Sequence, residues 1–275
     1  MNMAKKNKLL IIGGGNMGYA IANGMSSHKN VKKSEIIFTE SKPERIRFLT
    51  KNDYKTFSNI EAALKNNKQK TYAVLLAVKP NDIREVLKEL KSHILRDTII
   101  ISIAAGIKIK KLSACLPANQ PIARIMPNTP CQIGKGMSVI TFNKNVSKSQ
   151  KSTVIKIFKS VGKTTILPEA NFDLVTAISG SGPAYFCYLI ELLIKSGEKL
   201  GLNKKISEEL VLETALGTIY LLNNCALSPE ALRATVTSPN GTTEAALKVF
   251  QKRNWNNIIY EGVKAAKNRA AQLSK

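Results

Sequence analysis

The chain has 275 residues, 44% of them hydrophobic and 22% charged. Such proportions exclude a disordered chain, a collagen-like repeat and a small disulfide scaffold, and leave room for one large domain or two modest ones. Forty-two Lys and Arg against 19 Asp and Glu give a formal charge of +23, but the lysines are scattered rather than interleaved with aromatics, so they read as solvated surface and no nucleic-acid partner is expected.

Lys8 to Ile12 reads as a short buried strand that ends in glycines, followed by a helix from Met17 to Ser26. A second strand is expected at Glu35 to Thr39 and a helix around Pro43 to Lys51. Strand-like Tyr72 to Ala77, a helix from Asn81 to Leu90 and strand-like Thr98 to Ile103 continue the alternation. Near-continuous apolar strands alternating with helices are the signature of a parallel sheet covered on both faces. Runs at Ile122 to Met126 and Gly136 to Thr141, a helix from Ser147 to Val161 and a strand near Lys163 to Leu167 close this half.

After about residue 169 the texture changes. Ser179-Gly180-Ser181-Gly182-Pro183 reads as a turn with proline placed to open a helix. Helices are expected at Ala184 to Leu200, Ser207 to Asn223, Pro229 to Thr235, Thr242 to Lys252 and Trp255 to Leu273. The expected architecture is therefore an α/β domain of Rossmann-like type, residues 1–168, followed by an all-α domain, residues 169–275. The first of the C-terminal helices is apolar on nearly every side, and a domain of about 105 residues has little interior in which to bury it. A subunit interface is the natural place for the excess.

Four cysteines lie far apart and only two histidines, His28 and His93, are present, so no zinc site of ordinary spacing can be assembled. The most apolar stretch, Ala184 to Ile194, is too short for a bilayer and contains Glu191. The Lys-rich start has no cleavage-like site after its short apolar run. A cytoplasmic protein with no membrane partner is expected.

Gly13-Gly14-Gly15-Asn16-Met17-Gly18 fits G-x-G-x-x-G between a predicted strand and a predicted helix, the context that gives this pattern its meaning. Gly13 suits the tight turn, Gly15 lets backbone approach a pyrophosphate, and Gly18 lets helix and strand pack closely. The free N–H groups at the helix start favour the phosphates. About twenty residues on stand Glu40, Ser41 and Lys42, of which an acid suits a free ribose 2′-hydroxyl, and Ser with Lys suit a 2′-phosphate. Ala77-Val78-Lys79-Pro80 and Ile103-Ala104-Ala105-Gly106 each follow the carboxyl end of a strand, where the ligand crevice of an open α/β sheet lies. Arg124-Ile125-Met126-Pro127-Asn128-Thr129-Pro130 fixes an extended loop carrying an amide. Thr237-Ser238-Pro239-Asn240-Gly241-Thr242-Thr243 puts small residues and hydroxyls at a predicted helix start, either a carboxylate site or an ordinary cap.

Through these segments, with S-G-S-G-P-A-Y, the chain resembles the Δ1-pyrroline-5-carboxylate reductases over nearly its whole length. The resemblance implies an NAD(P)H enzyme that completes proline synthesis, with a helical half that forms a homodimer or a larger ring of dimers. It implies cofactor contacts at Ile12, Gly13, Gly14, Gly15, Asn16, Met17, Asn59, Ala77, Val78, Lys79, Pro80, Ala104, Ala105 and Gly106, and substrate contacts at Gly241, Thr242 and Thr243. The chain departs from the family's usual pattern at Asn240, where glycine is common, and at Ala234 and Lys195, where Asp is common.

No imidazole lies in a motif segment, so histidine acid–base chemistry is not expected. A cyclic imine needs little of it, because its nitrogen is protonated before hydride arrives and the cofactor carries the chemistry. Thr243 is assigned to hydrogen-bond the ring nitrogen as the catalytic residue. The N–H groups of Gly241 to Thr243 are assigned to the substrate carboxylate, and Asn128 and Met126 to the nicotinamide side. NADPH is the expected cofactor, with NADH the alternative, on the premise that Ser41 and Lys42 hold a 2′-phosphate while Glu40 turns away. Two rivals are a β-hydroxyacid-type dehydrogenase using Lys195 and a non-catalytic dinucleotide-sensing protein.

Overall fold

Strand β1 (Lys8–Ile12) buries every residue after Lys8, as a central strand covered on both faces must. The structure, a computed structural model, describes residues 8–28, 31–65 and 71–274. Around β1 the sheet adds β2 (Ile36–Thr39), β3 (Lys55–Phe57), β4 (Thr71–Leu76), β5 (Ile99–Ser102), β6 (Ile122–Met126), β7 (Gly136–Phe142) and β8 (Gly162–Ile166). The strand order is β3-β2-β1-β4-β5-β6-β7-β8. The first six strands are parallel; β7 runs antiparallel to β6, and β8 is parallel to β7. The order reverses beside β1, which lies between β2 and β4, so the switch point of the sheet falls at the carboxyl end of β1.

Side-chain alternation along the strands builds two cores. Leu9, Ile11, Phe38, Leu75 and Ile101 face one side with Phe158, while Leu10, Ile12, Val74, Leu76 and Ile100 face the other with Leu87 and Leu112. The covering helices are α1 (Asn16–Ser27), α2 (Pro43–Lys51), α3 (Ile60–Lys65), α4 (Ile83–Lys91), α5 (Ile109–Cys115) and α6 (Lys148–Lys159). The capping box at the start of α6, where the Ser147 side chain accepts from the Gln150 N–H, marks its entry. The short elements β3, α3 and α5 are additions to the sequence reading. Only two of the six residues of α3 are buried, and one of the seven of α5, which leaves too little apolar periodicity to reveal them.

Beyond the sheet come α7 (Phe172–Val175), α8 (Gly182–Lys199), α9 (Lys204–Asn224), α10 (Pro229–Thr235), α11 (Thr242–Lys252) and α12 (Trp255–Leu273). Two compact units result, one of Met1–Ser181 with Ala266–Lys275 and the other of Gly182–Ala265. Residues 169–181 join the sheet unit through Phe172, which is buried, and through Glu169. The expected turn at Ser179 to Pro183 is instead a π-helical turn, Thr176–Gly180, that leads straight into α8. The helical run Glu169–Lys199 therefore reaches the length and mean hydropathy (1.3) of a membrane span, although its most apolar stretch alone does not. Within the second unit hardly any side chain is buried: Phe186 and Tyr188 are 61% exposed and Leu210 53%. So much apolar surface on a folded unit marks an interaction surface.

Arg124 on β6 makes the most buried ion pair of the sheet unit among the described residues. Its side chain is 4% exposed and donates to Glu169 at 2.9 Å, with the guanidinium 4.7 Å from the Phe172 ring centroid. The same Glu169 oxygen accepts the Ile109 N–H at the start of α5, at 2.8 Å. Glu169→Gln would leave the buried guanidinium without its counter-charge and should destabilise the fold by about 3 kcal/mol. Urea unfolding measures this, and a loss below about 1 kcal/mol would show the pair to be dispensable.

Candidate dinucleotide and substrate sites

The site grows from the crossing at the end of β1. The Gly13 N–H donates to the Thr39 carbonyl on β2 at 2.9 Å, and the Ala77 N–H donates to the Ile12 carbonyl at 2.8 Å. Gly13 has φ +100°, and a Cβ there would stand 2.6 Å from the Ala77 carbonyl oxygen, so neither the conformation nor the space admits a side chain. Gly15 is different: nothing lies within 4 Å of where its Cβ would be. It is the N-cap of α1, with extended backbone and no side-chain cap, so the first N–H groups of the helix point into open space.

Two side chains from the β2–α2 region hold the glycine loop. One Glu40 oxygen accepts the Gly14 N–H at 2.8 Å, and the other accepts the N–H groups of Ser41 and Lys42 at 2.9 and 3.0 Å. Arg45 donates through Nε and Nη2 to the Gly14 carbonyl at 2.8 and 2.5 Å and stacks on Phe48. Both ends of the Gly14 peptide are thus pinned. Glu40 does not turn away, as the sequence reading supposes: three backbone N–H groups outcompete solvent for its carboxylate. Arg45 is the residue that sequence reasoning misses, since it belongs to no motif.

Two cavities open on either side of the Ala77–Pro80 turn, and Val78 lines both. One, of about 230 Å³, is apolar and lined by Met17, Ala77, Pro80, Ala104, Ala105 and Met126. The other, also about 230 Å³, is lined by Ile12, Gly13, Thr39, Ser41, Asn59 and Glu89 among others. Among the described residues the buried Thr39 hydroxyl has no hydrogen-bond partner. Asn59 caps α3 by accepting the Ala62 N–H at 2.7 Å. Neither Lys42 nor Lys79 lines either of these two cavities, and Gly106, at φ +76°, packs closely against the Leu273 backbone.

Asn128 does not line the apolar cavity, although Met126 and Pro127 do. Its side-chain oxygen accepts the Met137 N–H at 2.8 Å, and its amide donates to the Ser179 hydroxyl at 3.4 Å.

Gly241, Thr242 and Thr243 lie in the second compact unit at the start of α11. Gly241 is the N-cap, so no side chain caps the helix and its first N–H groups remain open. Asn240 takes the left-handed conformation, φ 59°, that glycine would otherwise serve. Its N–H donates to Glu244 at 3.0 Å. Lys248, and after it this N–H, hold the Glu244 carboxyl below its ordinary range. The N–H groups of the first turn of α11 are thus left without a side-chain cap, and the Thr243 hydroxyl is not the cap.

The glycine cradle, the apolar cavity beside it and the orphan hydroxyl in the other cavity fit a nicotinamide dinucleotide. Gly15→Ala puts a methyl where nothing of the protein stands, so stability should change by less than about 1 kcal/mol. If diphosphate lies on that backbone, affinity for the dinucleotide should fall at least about tenfold. Calorimetric titration alongside thermal melting separates the two effects, and an unchanged affinity would remove Gly15 from the cradle.

Comparison with known proteins agrees with this geometry. The family model described as "Pyrroline-5-carboxylate reductase dimerisation" matches residues 169–273, and one described as "NADP oxidoreductase coenzyme F420-dependent" matches residues 8–106. The pyrroline-5-carboxylate reductase of Synechocystis is 38% identical over 270 residues, covering 98% of each chain. The crystal structure of the Plasmodium falciparum pyrroline carboxylate reductase with NADP bound superposes with a TM-score of 0.86 at 30% identity, covering 100% of both chains. A Coxiella burnetii pyrroline-5-carboxylate reductase gives 0.88 at 32% identity, covering 98% of this chain and 100% of that one. With its dinucleotide cradle, its helical C-terminal half and this similarity along its whole length, the chain belongs to the pyrroline-5-carboxylate reductase family.

Proposed function

We propose that the protein reduces L-Δ1-pyrroline-5-carboxylate to L-proline with NADPH, the last step of proline biosynthesis, and is thus an oxidoreductase acting on a CH–NH group. The observation that carries the reading is the combination, in one chain, of the open cradle at Gly13–Met17 and the dimerisation-family match over residues 169–273. The cofactor supplies hydride. The backbone from Gly13 to Met17 holds the diphosphate, and Ala77–Pro80 with Ala104–Gly106 shape the walls on either side. Met17, Ala104 and Met126 give the nicotinamide a dry, apolar seat, which keeps water from the reacting carbon. Asn128 holds the β7 backbone at Met137 and the Ser179 hydroxyl rather than touching the ring.

Ser41, which lines the second cavity, and Lys42 beside it are the groups we assign to the 2′-phosphate. The NADP-bound relative and the NADP oxidoreductase match support that assignment.

The substrate is a cyclic imine with a carboxylate. The open N–H groups of Thr242 and Thr243 suit the carboxylate, where the helix dipole adds to the hydrogen bonds, whereas the Gly241 N–H is already given to the Ser238 carbonyl at 3.0 Å. The Thr243 hydroxyl, free of capping duty, accepts a hydrogen bond from the protonated ring nitrogen. No general base is required, because the product amine keeps the proton its nitrogen already carries. The hydroxyacid-dehydrogenase alternative would need Lys195 as its acid or base. That ammonium is paired with Glu191 at 2.5 Å on an exposed helix face, and the Glu191 hydrogen bond raises its pKa further, away from the range of a neutral-pH catalyst.

The exposed apolar faces of α8, α9 and α12 suit a homodimer, and dimers assembling into a ring would cover still more of them. We place the functional boundary between residues 168 and 169, where the dimerisation match begins, and the enzyme in the cytoplasm.

The test is an initial-rate assay with pyrroline-5-carboxylate on the native chain and on Thr243→Val, with NADPH and with NADH. The native chain should turn over with the lower KM for NADPH. Valine keeps the shape of threonine but loses one hydrogen bond to a charged group, about 1.5–3 kcal/mol. That corresponds to a fall in kcat/KM of roughly ten- to a hundredfold. Thermal stability should barely move, since Gly241 and not Thr243 is the cap. Unchanged kcat/KM would remove Thr243 from catalysis, and a native chain inert with both cofactors would contradict the whole reading.

A further inference from the structure

The π-helical turn Thr176–Gly180 ends on Gly180, which faces the terminal methyl of Met126, a residue lining the apolar cavity. The Ser181 N–H reaches back five residues to the Thr176 carbonyl at 2.8 Å, and the Thr176 hydroxyl donates to the Phe172 carbonyl at 2.7 Å. A single π turn adds one residue to the helix and rotates the succeeding residues by about 100° relative to an unbroken α-helix. Such turns interrupt favourable i→i+4 bonding and persist where something else gains from the rotation.

Here the gain is visible on the side facing β6. Ser179 meets the Asn128 amide, and Gly180 meets the terminal methyl of Met126. A Cβ on Gly180 would overlap that methyl, with Thr176 Cγ2 next at 3.7 Å. Met126 itself lines the cavity with Met17, Ala77, Ala104 and Pro127. Its side chain is therefore seated between a glycine with no side chain and the open space of the cavity. The atom that a larger residue would strike is the far end of a flexible side chain rather than backbone, so the fold survives the change while the methyl is driven off its seat. The open volume beside it is the cavity.

We propose that the π turn is a positioning element for the nicotinamide, and that Gly180, by lacking a side chain, seats Met126 and so sets the width of the apolar cavity. Gly180 touches no reacting atom and acts through Met126. The inference rests on the reading that this cavity takes the nicotinamide.

A double-mutant cycle tests it with two readouts that need no turnover: the dissociation constant for NADPH, by calorimetry, and the methyl resonances of ¹³C-methyl-methionine-labelled protein without nucleotide. Met126→Ala identifies the Met126 resonance by its disappearance. Gly180→Ala should move that resonance and raise the NADPH dissociation constant about tenfold, because the displaced methyl takes space that the nicotinamide fills. Added to Met126→Ala, the same substitution should leave the dissociation constant where Met126→Ala alone puts it, because the atom it strikes is gone. An unmoved constant in the native background would overturn the proposal. So would an equal rise in both backgrounds, or a fall in thermal midpoint that Met126→Ala does not relieve, either of which makes Gly180 a purely structural residue. Should the native chain bind no NADPH at all, the cofactor reading fails and the proposal with it, whereas binding without turnover leaves this proposal standing and overturns only the choice of substrate.

Discussion

One constraint organises the sheet unit: the chain leaving β1 must pass between the ends of β2 and β4 with no side chain in the way. The strand order reverses there, so two neighbours diverge and the glycine loop alone bridges the gap. Gly13 satisfies the requirement by its left-handed backbone and its contact with the Ala77 carbonyl. The hydrogen bonds from Gly13 to Thr39 and from Ala77 to Ile12 tie the loop to both sides. Once it is held, the start of α1 presents open N–H groups, and a cavity opens on each flank of the Ala77–Pro80 turn. Cofactor chemistry follows from that crossing rather than from any acid or base in the protein.

Much of this is legible in the sequence because it depends on local rules. An apolar strand, three glycines and a helix announce a dinucleotide fold, and the alternation of strand and helix after it announces a parallel sheet. The features that escape depend on contacts between distant residues. Arg45 clamps a carbonyl 31 residues away, and nothing in its own neighbourhood hints at it. Glu40 is visible, but its direction is not, since three N–H groups from two loops decide it. Asn128 lies in a conspicuous motif, yet its amide serves the β7 backbone and Ser179 rather than the cavity. The π turn reads as an ordinary break because Ser-Gly-Ser-Gly-Pro carries turn signals. Tertiary contact with Met126 and Asn128 overrides those signals and keeps the run helical.

The helical unit illustrates the opposite limit. Apolar periodicity and caps such as Ser228 on α10 place its helices well. They do not place the packing, because one copy of the unit buries almost none of its large side chains. A stretch that is apolar all round meets the length and composition of a membrane span and of an intersubunit helix equally well. Membership of a family with a dimerisation segment favours the second. The helical unit carries lysines too, several of them paired with a carboxylate on their own helix, as Lys248 is with Glu244.

The central claim is that hydride passes from a nicotinamide held at the β1 crossing to the imine carbon of the substrate. Its most direct test is the reduction of pyrroline-5-carboxylate with NADPH carrying deuterium at the transferable position of the nicotinamide, with mass and NMR analysis of the product. The account predicts L-proline bearing one deuterium on the ring carbon that was the imine carbon, beside nitrogen and away from the carboxylate. Proline formed without that deuterium, or a label that stays on the nucleotide, would contradict it.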